Sequence, residues 1–240
     1  MAEKKIVKAE TKETTVKEAK PTGNAGGLRA ASIIFWILAI ACEALAFIQL
    51  SGAVVLFSKL PAWTGWIFLG LDLVFVICGS LMWKKANRIK PASKKNKVKF
   101  WLWNNMGLIV AVFAFLPFII LVLTNKKMDK KTQTIAVIAG VVALAIAALC
   151  GIEYDPVSSE GMAAATGTFD TVYWTQYGKV YHLYTDCSSL SNSTELTEGS
   201  AEQAIEANRK RVCKICLKRF EGENGELSDE IVANLLVEEE

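Results

Sequence analysis

Four long apolar runs occupy positions 30–57, 63–83, 100–124 and 134–152, and beyond them the pattern changes to short alternating segments set between turn residues. Each run reaches or approaches the roughly 20 residues that a helix needs to cross a hydrocarbon core about 30 Å thick. A soluble four-helix bundle would carry a polar stripe at helical period along each run, yet positions 107–122 contain no charge at all. The pattern predicts four transmembrane helices. Trp63, Trp66, Trp83, Trp101 and Trp103 fall at the limits of the second and third runs, where aromatic belts form. Pro117 inside the third is tolerable in lipid, where neighbouring helices or a kink accommodate the lost backbone bond.

The small residues, Gly and Pro of 153–171 read as a flexible linker. A module over 172–219 follows. Thr171-Val-Tyr-Trp-Thr and Lys179-Val-Tyr-His-Leu-Tyr are β-branched and aromatic runs separated by Gln176-Tyr177-Gly178, which predicts a hairpin. Ser200 and Gln203 have the spacing of a capping box, so a short helix is expected from there to about Asn208. Positions 220–240 form an acidic tail in which Ile231, Leu235, Leu236 and Val237 share one helical face.

Charge divides the chain at the same place as hydropathy. The net +3 of the 240 residues combines 20 Lys/Arg against 7 Asp/Glu up to residue 152 with 7 against 17 after it. Residues 1–29 have almost nothing to bury and are expected to be a disordered tail. Some thirty polar residues before the first apolar run argue for an uncleaved anchor rather than a signal peptide. With the N-terminus inside, seven Lys/Arg in the tail and eight in the 84–99 loop face the cytoplasm, against Lys59, Lys126, Lys127, Lys130 and Lys131 outside. This asymmetry predicts a multi-pass cell-membrane protein with both termini cytoplasmic. The four lysines of the 125–132 loop run against the rule.

Glu43 and Asp72 lie within spans, where an ionisable residue is expensive and marks a site by default. At 1.5 Å per residue they sit about 18 Å and about 16 Å from the same face, so they meet near mid-bilayer on adjacent antiparallel helices. At least one must be protonated. A proton or cation relay is one reading. Two neutral carboxyls bonding between helices is the other, and the absence of intramembrane bases or an internal repeat favours it.

The constellation with metal-ligand chemistry is His182-x4-Cys187 followed by Cys213-x2-Cys216, which gathers three of the six cysteines and the single histidine into one segment. Cys42, Cys78 and Cys150 lie in apolar runs and read as small buried hydrophobes. Three thiolates and one imidazole make a closed tetrahedral set suited to structural Zn²⁺. A redox dithiol is the usual competitor for an isolated CxxC, though no βαβ pattern surrounds this one.

Tyr173-Trp174-Thr175, Gly178-Lys-Val-Tyr-His182, Cys187, Leu190, Ala204 and Val212-Cys213-Lys-Ile-Cys216 resemble the Ada-like metal-binding domain, a small module found at the ends of many bacterial proteins. The resemblance covers about 171–218 and leaves the membrane half outside. It implies His182, Cys187, Cys213 and Cys216 as the ligands. In the DNA-repair members four cysteines bind zinc and the first accepts a methyl group; His182 stands at that position here.

The expected architecture is an α-helical membrane protein with a small α+β zinc-binding C-terminal domain. The expected role is binding or scaffolding for an unknown protein partner at the lipid bilayer, without catalysis. The alternative is a small transporter or channel-like protein using Glu43 and Asp72, with the zinc module as its regulator. Arg209, Lys210, Arg211, Lys214, Lys218 and Arg219 cluster near the second cysteine pair, but a soluble part at −10 repels nucleic acid at long range.

Overall fold

The computed structural model describes residues 15–19, 22–51, 61 and 63–236. It divides into two compact units, one formed by Gly23–Glu160 and the other joining the segment before Gly23 to the chain from Gly161 on.

The first unit is helical: α1 (Ala25–Ser51), α2 (Thr64–Ile89), α3 (Lys97–Asn104), α4 (Met106–Thr124) and α5 (Lys130–Gly151). Among the described residues α1, α2, α4 and α5 are long and apolar enough to cross a membrane. Even the shortest, α4 with 19 residues, reaches about 28 Å. Their outward faces expose Ile33, Ile37, Phe113, Leu123, Ile138 and Leu149, as a lipid-facing surface does. Their inward faces bury Ala39, Ala46, Ala111, Ala114, Ala136 and Ala147 completely. Small side chains let helices approach closely where lipid removes the hydrophobic drive to associate. A close backbone approach joins the start of α4 to the end of α5. A methyl placed on Gly151 would lie 2.6 Å from the Gly107 carbonyl carbon and the Leu108 nitrogen, so only glycine fits there.

Helix boundaries depart from the apolar runs for identifiable reasons. α1 begins at Ala25, within the expected tail, while positions 52–57 of the first run and Lys59 lie outside the described residues. α2 continues to Ile89 and stops where Pro91 forces Lys90 out of helical geometry (φ −133°, ψ 84°). The third run is divided at Asn105 (φ −104°, ψ 23°). Asn104 and Asn105 are buried and donate to the carbonyls of Phe100 and Trp101, each at 3.0 Å. Such back-bonding draws the backbone away from a continuous helix. Trp83 is a further correction. It is only 5% exposed, packs between Trp36 and Trp103, and donates to the Trp103 carbonyl at 2.8 Å rather than sitting in a lipid-facing belt.

The second unit is mixed. Its strands are β1 (Thr15–Glu18), β2 (Val172–Trp174), β3 (Val180–Tyr181), β4 (Glu195–Gly199) and β5 (Arg211–Val212). Its helices are α6 (Ser159–Thr168), which enters it, then α7 (Ala201–Glu206), α8 (Lys214–Asn224) and α9 (Asp229–Leu236). One sheet runs β1-β4-β2, with β1 parallel and β2 antiparallel to β4; the other is the parallel pair β3-β5. The predicted hairpin is reduced to one isolated antiparallel bridge, the reciprocal Tyr173–His182 bonds of 2.7 Å, because β2 pairs with β4 and β3 with β5 in separate sheets. The capping box of Ser200 and Gln203 starts α7. Asn208 ends it at φ 69°, with the Arg209 amide on the Ala204 carbonyl and the Asn208 amide on that of Ile205, the pattern of a Schellman cap.

Three expectations change here. The N-terminal segment contains a strand at Thr15–Glu18 rather than being a tail throughout, although residues 1–14 lie outside the described residues. The linker 153–171 contains α6, and its Phe169 is buried between Tyr181 and Phe220. The acidic tail contains the end of α8 and all of α9; Leu235 is buried, while Val237 lies outside the described residues.

Candidate metal centre

The register of the second unit carries the site. β3 ends at Tyr181, whose carbonyl accepts the Cys213 amide at 2.8 Å, so the residues that follow the two parallel strands lie side by side. His182 is next along from β3 and is held by its bridge to Tyr173. Cys213 is next along from β5 and is the N-cap of α8, and one helical turn brings Cys216 to the same end. Cys187 enters from the turn after the hairpin, where its carbonyl accepts the Leu190 amide at 2.8 Å.

The four ligand atoms lie within 4.8 Å of one another and all four residues are buried. The Cys187 and Cys213 sulfurs are 4.0 Å apart, and the Cys216 sulfur is 3.7 Å from His182 Nδ1. A sulfur pair at 4.0 Å is about twice the length of a disulfide bond, and both cysteines are free. The group can hold a metal ion. Burial holds His182 below its ordinary value, favouring the neutral imidazole that ligates metals. Burial pushes the Cys216 thiol up to about 12. At Cys213 burial acts in the same direction, but the amides of Cys216 and Ile215 outweigh it and bring the thiol below its usual range. Thiols that lose their protons on ligating a metal ion here would have their buried charge balanced by that ion.

A clamp that the spacing does not reveal surrounds the site. The Arg219 guanidinium lies 4.1 Å from the Tyr184 ring centroid, forks onto Asp186 at 2.8 and 3.0 Å, and meets Glu223 at 2.9 Å. Tyr184 donates its hydroxyl proton to Glu223 at 2.7 Å. The i,i+4 spacing of Arg219 and Glu223 on α8 was the available signal. Arg209 is likewise engaged, donating to the carbonyls of Thr175, Gln176 and Ala207 and tying the hairpin turn to the end of α7. Arg209 and Arg219, among the six basic residues near the second cysteine pair, are therefore occupied by protein partners.

In the bundle Glu43 and Asp72 are both buried. The Glu43 carboxylate accepts the Phe118 amide at 3.1 Å, just past Pro117, whose ring disturbs the preceding turn. Asp72 is 0% exposed, and neither of its carboxyl oxygens has a hydrogen-bond partner among the described residues. The expected carboxyl–carboxyl hydrogen bond is therefore not formed.

Compared with known proteins, the chain matches no family model, no curated protein sequence and no solved structure.

Proposed function

We propose that the chain is a multi-pass membrane protein whose C-terminal module is stapled by structural zinc and serves as a binding or scaffold element without catalysis of its own. The observation that carries this reading is the convergence of His182, Cys187, Cys213 and Cys216. Zn–S bonds of about 2.3 Å and a Zn–N bond of about 2.0 Å in a tetrahedron place sulfurs about 3.8 Å apart and a sulfur and nitrogen about 3.5 Å apart. The 4.0 and 3.7 Å separations fit that edge length. With four protein ligands no position is left for water or substrate, which is the structural rather than the catalytic form of zinc site. The resemblance to Ada-like domains belongs to the same reading, and an imidazole at the methyl-acceptor position removes the thiol that the repair reaction needs.

In this reading both termini are cytoplasmic. The lysine distribution supports that side, and the pairing of β1 with β4 supports a shared side for both flanks, because a strand before the first span reaches one after the fourth only then. An even number of crossings provides that. A cytoplasmic module keeps its thiols reduced. The partner is a protein, since the acidic module and its engaged arginines do not favour nucleic acid. Metal analysis of the full chain purified in detergent is expected to give one zinc per chain, with Cys213→Ser losing it. A metal-free preparation, or zinc retained in the variant, overturns the reading.

A second reading rests on Asp72. A carboxyl buried within a span without a hydrogen-bond partner among the described residues is costly, and a bound proton or cation would offset that cost. The bundle would then act as a small ion-translocating unit with the module as regulator. Flux through the full chain in liposomes should fall at least tenfold in Asp72→Asn; a flux equal to that of empty liposomes, or one unchanged by the substitution, removes this reading.

A further inference from the structure

Where α1 begins and α2 ends, the bundle opens a pocket of 440 Å³ among Arg29, Lys90, Ser93, Lys95, Asn96 and Lys99, with Trp103 as one wall. Four basic residues line one cavity, and among the described residues no acidic one does. Like charges so arranged repel one another, and an anion is what relieves them.

The pocket is built rather than incidental. Arg29 lies 5.2 Å from the Trp103 ring centroid and 5.8 Å from that of Trp83, and it donates to the Lys90 carbonyl at 2.8 Å and to Asn87 Oδ1 at 3.3 Å. Its Nε is buried and has no hydrogen-bond partner among the described residues. Asn96 caps α3 by accepting the Lys99 amide at 3.0 Å, so the positive end of that helix opens at the cavity. The connecting loop is pinned from behind. Glu160 accepts from the Ser93 hydroxyl and from the Lys94 amide, and Ala92 accepts the Ser159 amide at 2.9 Å. Glu160, the acid in contact with this loop, is thus committed to holding it.

Depth selects the ligand. The pocket lies at the ends of membrane-length helices, beside the exposed Trp101, at the level where headgroups sit. Basic recesses between helix ends recognise the phosphates of anionic lipids through charge-assisted hydrogen bonds. We propose that this pocket binds a phosphate group at the bilayer surface. An anionic phospholipid headgroup is the source its depth favours, and free phosphate is the other source with the same chemistry.

The test uses the full chain in non-ionic detergent, titrated separately with phosphatidylglycerol, phosphatidylcholine and inorganic phosphate, with bound species counted by native mass spectrometry. Phosphatidylglycerol should bind in preference to phosphatidylcholine. The exposed pair Lys95→Gln/Lys99→Gln should weaken it by about tenfold or more, while Lys126→Gln/Lys127→Gln at the opposite end, an equal loss of charge, should change it less than about twofold. Lipid retained against excess phosphate identifies the headgroup as the ligand; phosphate bound alone with the same dependence on Lys95 and Lys99 identifies free phosphate. Equal losses in the two double variants, or no preference for either anionic probe, overturn the proposal. The lysine pair carries the test because Arg29→Gln also removes a contact that joins α1 to the end of α2.

Discussion

The bundle and the module both bury ionisable side chains, and they resolve the cost differently. Glu43 finds one amide and Asp72 finds no hydrogen-bond partner among the described residues, so the bundle carries these groups as an expense that packing elsewhere must cover. In the module, the ligand atoms of four such residues lie within 4.8 Å of one another, where a single cation can satisfy them together. The bundle coheres through shape, with alanines and the Gly107–Gly151 contact bringing backbones together. The module is small for shape alone, and on the proposed reading it coheres through coordination. On that reading, burial of ionisable groups is a load in one unit and a source of folding energy in the other.

The largest test of that contrast is removal of the metal. Chelation of the full chain should unfold the module, with a loss on the order of 10 kcal/mol in apparent folding free energy, and leave the helical signal of the bundle in place. Circular dichroism with amide exchange reads both units at once, and a module that keeps exchange protection without metal would place it on the same footing as the bundle. The converse is Gly151→Leu. Forcing a side chain between α4 and α5 should cost about 2–3 kcal/mol in detergent unfolding while zinc stoichiometry stays unchanged. The smallest effect concerns Glu160. Its hydrogen bonds from Ser93 and Lys94 hold it at about 2 against a usual 4.5, so the stabilisation is fully present above about pH 4.5 and is lost as pH falls towards 2. The protection factor of the Lys94 amide, its exchange rate relative to the intrinsic rate at each pH, should fall over that acid range and stay constant from pH 5 to 8, and Glu160→Gln should abolish the acid dependence.

What was legible in the sequence is what depends on neighbours along the chain. Four spans follow from apolar runs, and the ligand set follows from a histidine and three cysteines at short spacing. Strand β4 was not legible, because Glu195-Leu-Thr-Glu-Gly199 is polar and becomes a strand through pairing with β1 and β2 from distant segments. The break at Asn105 was signalled by two adjacent asparagines, but their burial depends on α2, from which Asn87 donates to Asn104 at 3.3 Å. The basic pocket was hidden for the same reason. Arg29 and the lysines of the 84–99 loop read as positive-inside charge until the ends of α1, α2 and α3 bring them around one cavity.

The parallel pairing of β1 with β4 also has a consequence in time. Lys17 and the Glu195 it meets at 3.0 Å are 178 positions apart, and the chain between them contains all four spans. A ribosome presents residues 15–18 long before their partner exists, so the strand must stay uncommitted while the helices insert. The sheet can close only after the last third of the chain has emerged, which makes it among the late, high-contact-order steps of folding.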